Sequence, residues 1–222
     1  VQPPISTSRT DGSFFRYSGC RASAEYPCGN SFTSFIVISY NSLSYINRTG
    51  CSFRNRYSLN PCFSLPKLES GSPTETVYGL GANALDEEAA KKTYAAKGRP
   101  SDNPLIVHIA RLEDLGAIVE SVPLIVDEIA AHFWPGPLTM IFNKNEKVPL
   151  GTTGGLETVA VRMPDDEIAR ELILAGGGYV SAPSANTSGR PSPTKAKHVI
   201  EDMDGKIEMI IDGGEVGIGL ES

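Results

Sequence analysis

The pattern of apolar and polar positions changes character near Pro73. Residues 1–72 mix Ser, Asn, Arg and aromatic residues with scattered Pro and show no sustained helical period. One apolar patch, Phe35-Ile-Val-Ile-Ser-Tyr40, has the makings of a strand. From Pro73 onward the periods sharpen. Asp86 is placed to cap a helix running to about Lys97, with Glu87 and Glu88 where the helix dipole favours them. Pro100 blocks its continuation. Leu105–Ile109, Leu138–Phe142, Thr158–Met163, Tyr179–Ala182 and Lys206–Ile211 are short apolar runs that read as strands. Leu112–Glu120 and Pro123–Phe133 read as helices, the second with proline in its first turn. Asp165–Ala175 is helical, with Ile168, Leu172 and Ala175 on one face and three glycines after it. Ser192-Pro-Thr opens a further helix to about Met203. Helices mingled with short apolar strands predict an α/β domain around a mixed, mostly buried sheet.

Charge sharpens the division at Pro73. The net charge is −6, but residues 1–70 carry seven Lys/Arg against three Asp/Glu, and the remainder 13 against 23. An acidic domain is a poor non-specific binder of nucleic acid. All four cysteines, Cys20, Cys28, Cys51 and Cys62, lie in the first segment without CxxC spacing, which argues against a zinc site. No apolar run approaches the ~18 residues that span a bilayer, so the chain reads as soluble; a cytoplasmic location is the expectation. Residues 1–72 stay open between a Ser- and Arg-rich transit peptide, a disordered tail, and a non-native stretch such as out-of-frame translation. The transit-peptide reading would place the protein in an organelle. The chain begins at Val1 rather than Met, which reads as a fragment.

The candidate chemistry lies in polar clusters at the ends of the apolar runs, where open α/β sheets bind ligands. Arg162 ends one run, and Ser184 and Asn186 follow another. His108 ends a third; its plain packing reading is a histidine satisfied by a backbone carbonyl. Lys97-Gly98-Arg99 places two cations before a donor-rich loop stiffened by Pro100 and Pro104. Arg offers a planar fork to phosphate or carboxylate, and Lys a point charge. Ala182-Pro-Ser-Ala-Asn-Thr-Ser-Gly-Arg-Pro-Ser-Pro-Thr194 is dense in hydroxyls and proline, which reads as an ordered loop. Gly79-Leu-Gly81-Ala-Asn-Ala84 matches GxGxxA superficially. Nothing before it reads as a β-rich strand and no acidic residue ends a strand ~20 positions on, so a dinucleotide site is rejected. Those glycines instead predict a close backbone approach. Phe133–Thr139 reads as a hydrophobic corner between helix and strand. No His/Asp/Glu spacing predicts a protein-held metal.

Together, PTETVYGLG (73–81), KGRPSDNPLIVHI (97–109), FWPGPLT (133–139), GLETVAVRMP (155–164), SAPSANTSGRPSPT (181–194) and IDGG…GLES (211–222) resemble the YrdC-like family, the threonylcarbamoyl-AMP synthases. The resemblance covers nearly all of 73–222. It implies a single α/β domain with a twisted mixed sheet flanked by helices and a concave active face. It implies a reaction of L-threonine, bicarbonate and ATP, the last with Mg²⁺, to threonylcarbamoyl-AMP and pyrophosphate. A partner transferase would then modify tRNA, and a weak direct contact with tRNA stays open. By resemblance Lys97, Arg99, Ser184 and Asn186 are the catalytic set. Lys97, Arg99, Asn103, Thr158, Ser184, Asn186 and Ser192 would line the ATP side. Thr76, His108, Arg162, the backbone at Ala182, and Ser222 would surround threonine.

Two departures from the family pattern are expected to matter. Pro66-Lys-Leu-Glu-Ser-Gly-Ser72 does not read as the apolar strand that normally runs into PTET. The sequence also stops at Ser222, before the family's closing elements. A partial copy with weak or no synthase activity is the expectation. The competing readings are an RNA-binding module of the same fold and a carbamoyl-transfer domain of a larger enzyme.

Overall fold

A computed structural model describes the backbone of residues 36–39 and 44–47 and the whole of residues 69–222. The four cysteines, and with the strand segments excepted the three readings of residues 1–72, lie outside the described residues. The strands are β1 (Ile36–Ser39), β2 (Ser44–Asn47), β3 (Ser70–Ser72), β4 (Gly79–Asn83), β5 (Ile106–His108), β6 (Thr139–Asn143), β7 (Thr158–Arg162), β8 (Val180–Ser181) and β9 (Met209–Asp212). The helices are α1 (Glu87–Lys97), α2 (Ile125–Phe133), α3 (Glu167–Ala175) and α4 (Ala196–Met203). The strands form one mixed sheet in the order β2-β1-β9-β3-β4-β8-β5-β7-β6. Parallel pairs join β5 to β7 and β9 to both β1 and β3; the other pairs are antiparallel.

Local chemistry accounts for the helix ends. The Asp86 carboxylate accepts from the Glu88 amide at 2.9 Å, and Gly98 closes α1 at φ 61°. Asp166 caps α3 by accepting from the Ala169 amide at 2.8 Å. α1 packs on β4, and α4 on β9 and β3. One core cluster gathers Val107, Ile109, Leu115, Val159, Val161 and Trp134. A second gathers Tyr78, Leu80, Val199, Met203 and Ile210 around α4.

The structure corrects several expectations. A strand, β3, does precede Pro73, although Ser70-Gly-Ser72 has no apolar signal. It forms because β4 and β9 supply hydrogen-bonding edges on both its sides. The glycine-rich segment 79–83 is itself a buried strand. Its glycines do permit the close approach expected of them. A Cβ on Gly79 would lie 3.2 Å from the Ala182 Cβ, and one on Gly81 3.1 Å from the Val180 Cγ1. Residues 112–117 form a 3₁₀ helix rather than an α-helix reaching Glu120. α4 starts at Ala196, not Ser192, because the Pro193 and Thr194 carbonyls accept from Tyr78 and Val216 and are lost to a helix. The expected mixed sheet is present, with solvent on its edge strand β6, where Ile141 is 71% exposed.

Candidate active site

Sheet register builds the site. Ile106 pairs with Ala160, and His108 with Arg162. Side chains alternate along a strand, so Ile106, His108 and Arg162 share one face while Val107 and Val161 fill the core on the other. A cavity of about 180 Å³ lies against the first face. β8 runs antiparallel to β5, so the segment after β8 meets the opposite end of β5 from His108. The polar clusters therefore sit at two ends of one cavity, rather than side by side beyond one edge of the sheet.

The first end is organised by Arg162, which is 3% exposed. Its Nε donates to the Gly136 carbonyl at 3.1 Å, and its Nη1 to the Thr76 Oγ1 at 3.1 Å. The corner around the only tryptophan thus supplies an acceptor that aims the guanidinium. Thr74 Oγ1 donates to the Val77 carbonyl at 2.7 Å, which leaves Thr76 as the donor in the 3.0 Å contact between the two hydroxyls. Glu75 Oε1 lies 2.6 Å from Arg162 Nη2. That contact is an ion pair without a directed hydrogen bond, because neither Glu75 oxygen nor Arg162 Nη2 has a partner of hydrogen-bonding geometry. His108 is buried beside them, and its Nε2 has no partner, so the carbonyl-satisfied reading of that nitrogen fails. Burial, with Arg162 alongside, holds the His108 pKa down at about 3. The ring is neutral at physiological pH and can donate or accept without competing for an anion.

The second end holds Arg99, Pro104, Pro183, Ser184 and Glu221. Arg99 is half-buried; its Nη2 donates to the Pro104 carbonyl at 3.3 Å and its buried Nε has no partner. Buried polar groups in proteins are overwhelmingly paired. Two of the unpaired ones among the described residues, Arg99 Nε and His108 Nε2, belong to side chains lining this one cavity, and a third lining atom, Arg162 Nη2, has only the Glu75 carboxylate beside it.

Of the residues singled out in the sequence, Thr76, Arg99, His108, Arg162, Ala182, Ser184 and Ser222 line the cavity. Lys97, Asn103, Thr158, Asn186 and Ser192 are not part of its lining. Thr158 shares a face with Arg162 but stands four residues away, about 13 Å along β7. Asn103 is exposed, and its backbone carbonyl accepts from the Tyr94 hydroxyl at 3.0 Å. Ser192 Oγ contacts Glu221 Oε1, which places it behind the lining. Lys97 is buried, with its ammonium on the Asn186 carbonyl at 2.7 Å; burial, then nearby Arg99, draws its pKa down to about 8. Glu75 and Glu221 were not singled out by sequence. A buried arginine demands a nearby carboxylate, and PTET holds one; that signal identifies Glu75. Nothing local in the sequence marks Glu221. Among the described residues no three His, Cys, Asp or Glu side chains gather as metal ligands.

Comparison with known proteins identifies the family of the chain. A family model, Sua5_yciO_yrdC, described as telomere recombination, matches residues 71–222. The threonylcarbamoyl-AMP synthase of Pyrococcus abyssi (strain GE5 / Orsay) is 61% identical over 150 residues, covering 68% of this chain and 44% of that protein. The enzyme of the same name from Bacillus subtilis (strain 168) is 56% identical over 151 residues, again 68% of this chain and 44% of its own length. The chain therefore spans less than half the length of these curated relatives. The crystal structure of P. abyssi Sua5 complexed with L-threonine superposes with a TM-score of 0.73 at 50% identity, covering 84% of this chain and 53% of that one. The family model covers more than half of the chain and the fold superposes on that of Sua5, so this chain belongs to the Sua5/YciO/YrdC family.

Proposed function

We propose that this chain carries the catalytic domain of an L-threonylcarbamoyladenylate synthase. The observation that carries the reading is one small cavity with an unpaired buried nitrogen at each end, Arg99 Nε at one and His108 Nε2 beside the Arg162 guanidinium at the other. At about 180 Å³ it is smaller than the roughly 300 Å³ at which pockets for drug-sized ligands begin. It suits an amino acid inside and a nucleotide entering from the Arg99 end.

In this reading the threonine carboxylate displaces Glu75 from Arg162 Nη2, while Nε and Nη1 stay on Gly136 and Thr76. Neutral His108 and Thr76 offer polar partners to the substrate hydroxyl. The amine of threonine combines with bicarbonate to form a carbamate and water. A carbamate oxygen then attacks the α-phosphorus of ATP, the bond to the β-phosphate oxygen breaks, and pyrophosphate leaves. Arg99 faces the charge that develops there. Alignment and charge compensation, rather than a protein base, supply the acceleration. Mg²⁺ enters with ATP as its counterion. The product is a mixed anhydride, which a tRNA-modifying transferase would consume. That reading places the protein in the cytoplasm or an organelle where tRNA is modified. Among the described residues no helix is long and apolar enough to cross a membrane.

Isothermal titration of the chain with Mg–ATP and L-threonine tests this. Both are expected to bind, and Arg99→Ala is expected to weaken ATP at least about tenfold while leaving threonine bound. Threonine-dependent release of pyrophosphate from ATP is the activity readout. Binding of neither ligand would sink the reading.

A further inference from the structure

Lys97 ends α1 and is 2% exposed, yet it is a cation in a motif expected to meet phosphate. Its ammonium contacts the Ser184 carbonyl, the Asn186 carbonyl at 2.7 Å and the Asn186 Oδ1 at 3.3 Å. An ammonium has three N–H donors and no acceptor. All three are spent inside the polypeptide. The Lys97 backbone carbonyl is committed to the same loop, accepting from the Ser188 amide at 2.9 Å. Asn186 continues the network by donating Nδ2 to the Thr187 carbonyl at 3.1 Å and the Arg190 carbonyl at 2.7 Å. On its other side the loop is bridged to β4 through Gly79 and Ser184. Arg99, two residues later, lines the cavity with an unpaired Nε.

We infer that Lys97 is a positioning residue that clamps the 184–188 loop onto the end of α1, presenting Ser184 to the cavity, and that Arg99 alone of the two cations meets the nucleotide. The assignment to Arg99 rests on the nucleotide reading above; the clamp itself does not. Lysine suits the clamp because three oxygens converge on one point. A compact ammonium satisfies them together, whereas the planar fork of arginine cannot. A residue that only supplied charge to phosphate would tolerate that exchange, and a clamp does not.

Two measurements on the purified chain decide the matter. In the first, wild-type protein is acylated with limiting reagent, with and without Mg–ATP, and read by mass spectrometry. Lys97 is expected to label at least about tenfold more slowly than Lys197, which is 81% exposed, because burial withholds the amine. ATP is expected to leave that ratio unchanged. In the second, hydrogen exchange is followed without ligand in Lys97→Arg and Lys97→Met. Amides 185–190 are expected to exchange about tenfold faster in both, since charge-assisted hydrogen bonds are lost. ATP-dependent protection of an otherwise reactive Lys97 would overturn the clamp. So would a Lys97→Arg protein with wild-type loop protection and wild-type ATP affinity. If a variant fails to fold, the wild-type labelling still decides. If wild-type protein binds no ATP, the nucleotide reading falls while the ligand-free labelling and exchange still judge the clamp.

Discussion

The residues that set the environment of His108 are distant in sequence: Arg162 and Val180, 54 and 72 positions on, reach it only across the sheet. Burial, then Arg162, depresses its pKa to about 3 from 6.5. In the unfolded chain the ring takes up a proton as pH falls below 6.5, and in the folded chain it does not. The stability it contributes is therefore present above pH 6.5 and lost as pH falls toward 3. Chemical denaturation at pH 7.5 and pH 4.5 should show His108→Gln losing about 2–3 kcal/mol less than wild type over that interval. Parallel losses in the two proteins would show that the imidazole is not held neutral. Arg162 illustrates the opposite kind of legibility. Its place at the end of an apolar run marked it as functional, but its Glu75 partner and its Gly136 acceptor became visible only with the chain folded.

Among elements, those with a local cause were readable and those with a borrowed cause were not. α1 and α3 have aspartate caps, and their starts lie within two residues of the expected positions. β5 and β7 show apolar runs and fall inside the expected ranges. β3 and β4 consist largely of glycine, serine and small residues, and exist because neighbours complete their hydrogen bonds. The join between Pro73 and the Asp212-Gly-Gly214 turn is of the same kind. A Cβ on Gly213 would lie 2.6 Å from the Pro73 Cγ and 2.7 Å from the Ile168 Cδ1. The proline ring has little room to yield, so Gly213→Ala should cost about 1–3 kcal/mol by overpacking. A urea midpoint unchanged from wild type would show that the contact relaxes freely.

For the whole molecule, the acidic balance of residues 71–222 weighs against the RNA-binding alternative, and the cavity favours small ligands. Ligands that bind only the folded state raise its stability by mass action. On the synthase reading, L-threonine at 100 times its dissociation constant should add about 2.7 kcal/mol and raise the melting temperature by several degrees. Arg162→Ala should abolish that increment while its own melting temperature is also lower, because Glu75 is left buried and unpaired. A threonine-dependent rise that survives in Arg162→Ala would place the amino acid elsewhere.

The sequence by itself determined the α/β character, the capped helices, the apolar strands and the set of motifs, because each depends on residues within a turn or two of one another. The tertiary structure decided which polar groups share a cavity. Lys97 meets Asn186 across 89 positions and Arg162 meets Thr76 across 86. Such pairings follow from strand register and burial, and no local period encodes them. It is also why two cations adjacent in one motif part company in space, Arg99 into the cavity and Lys97 into the loop that shapes it.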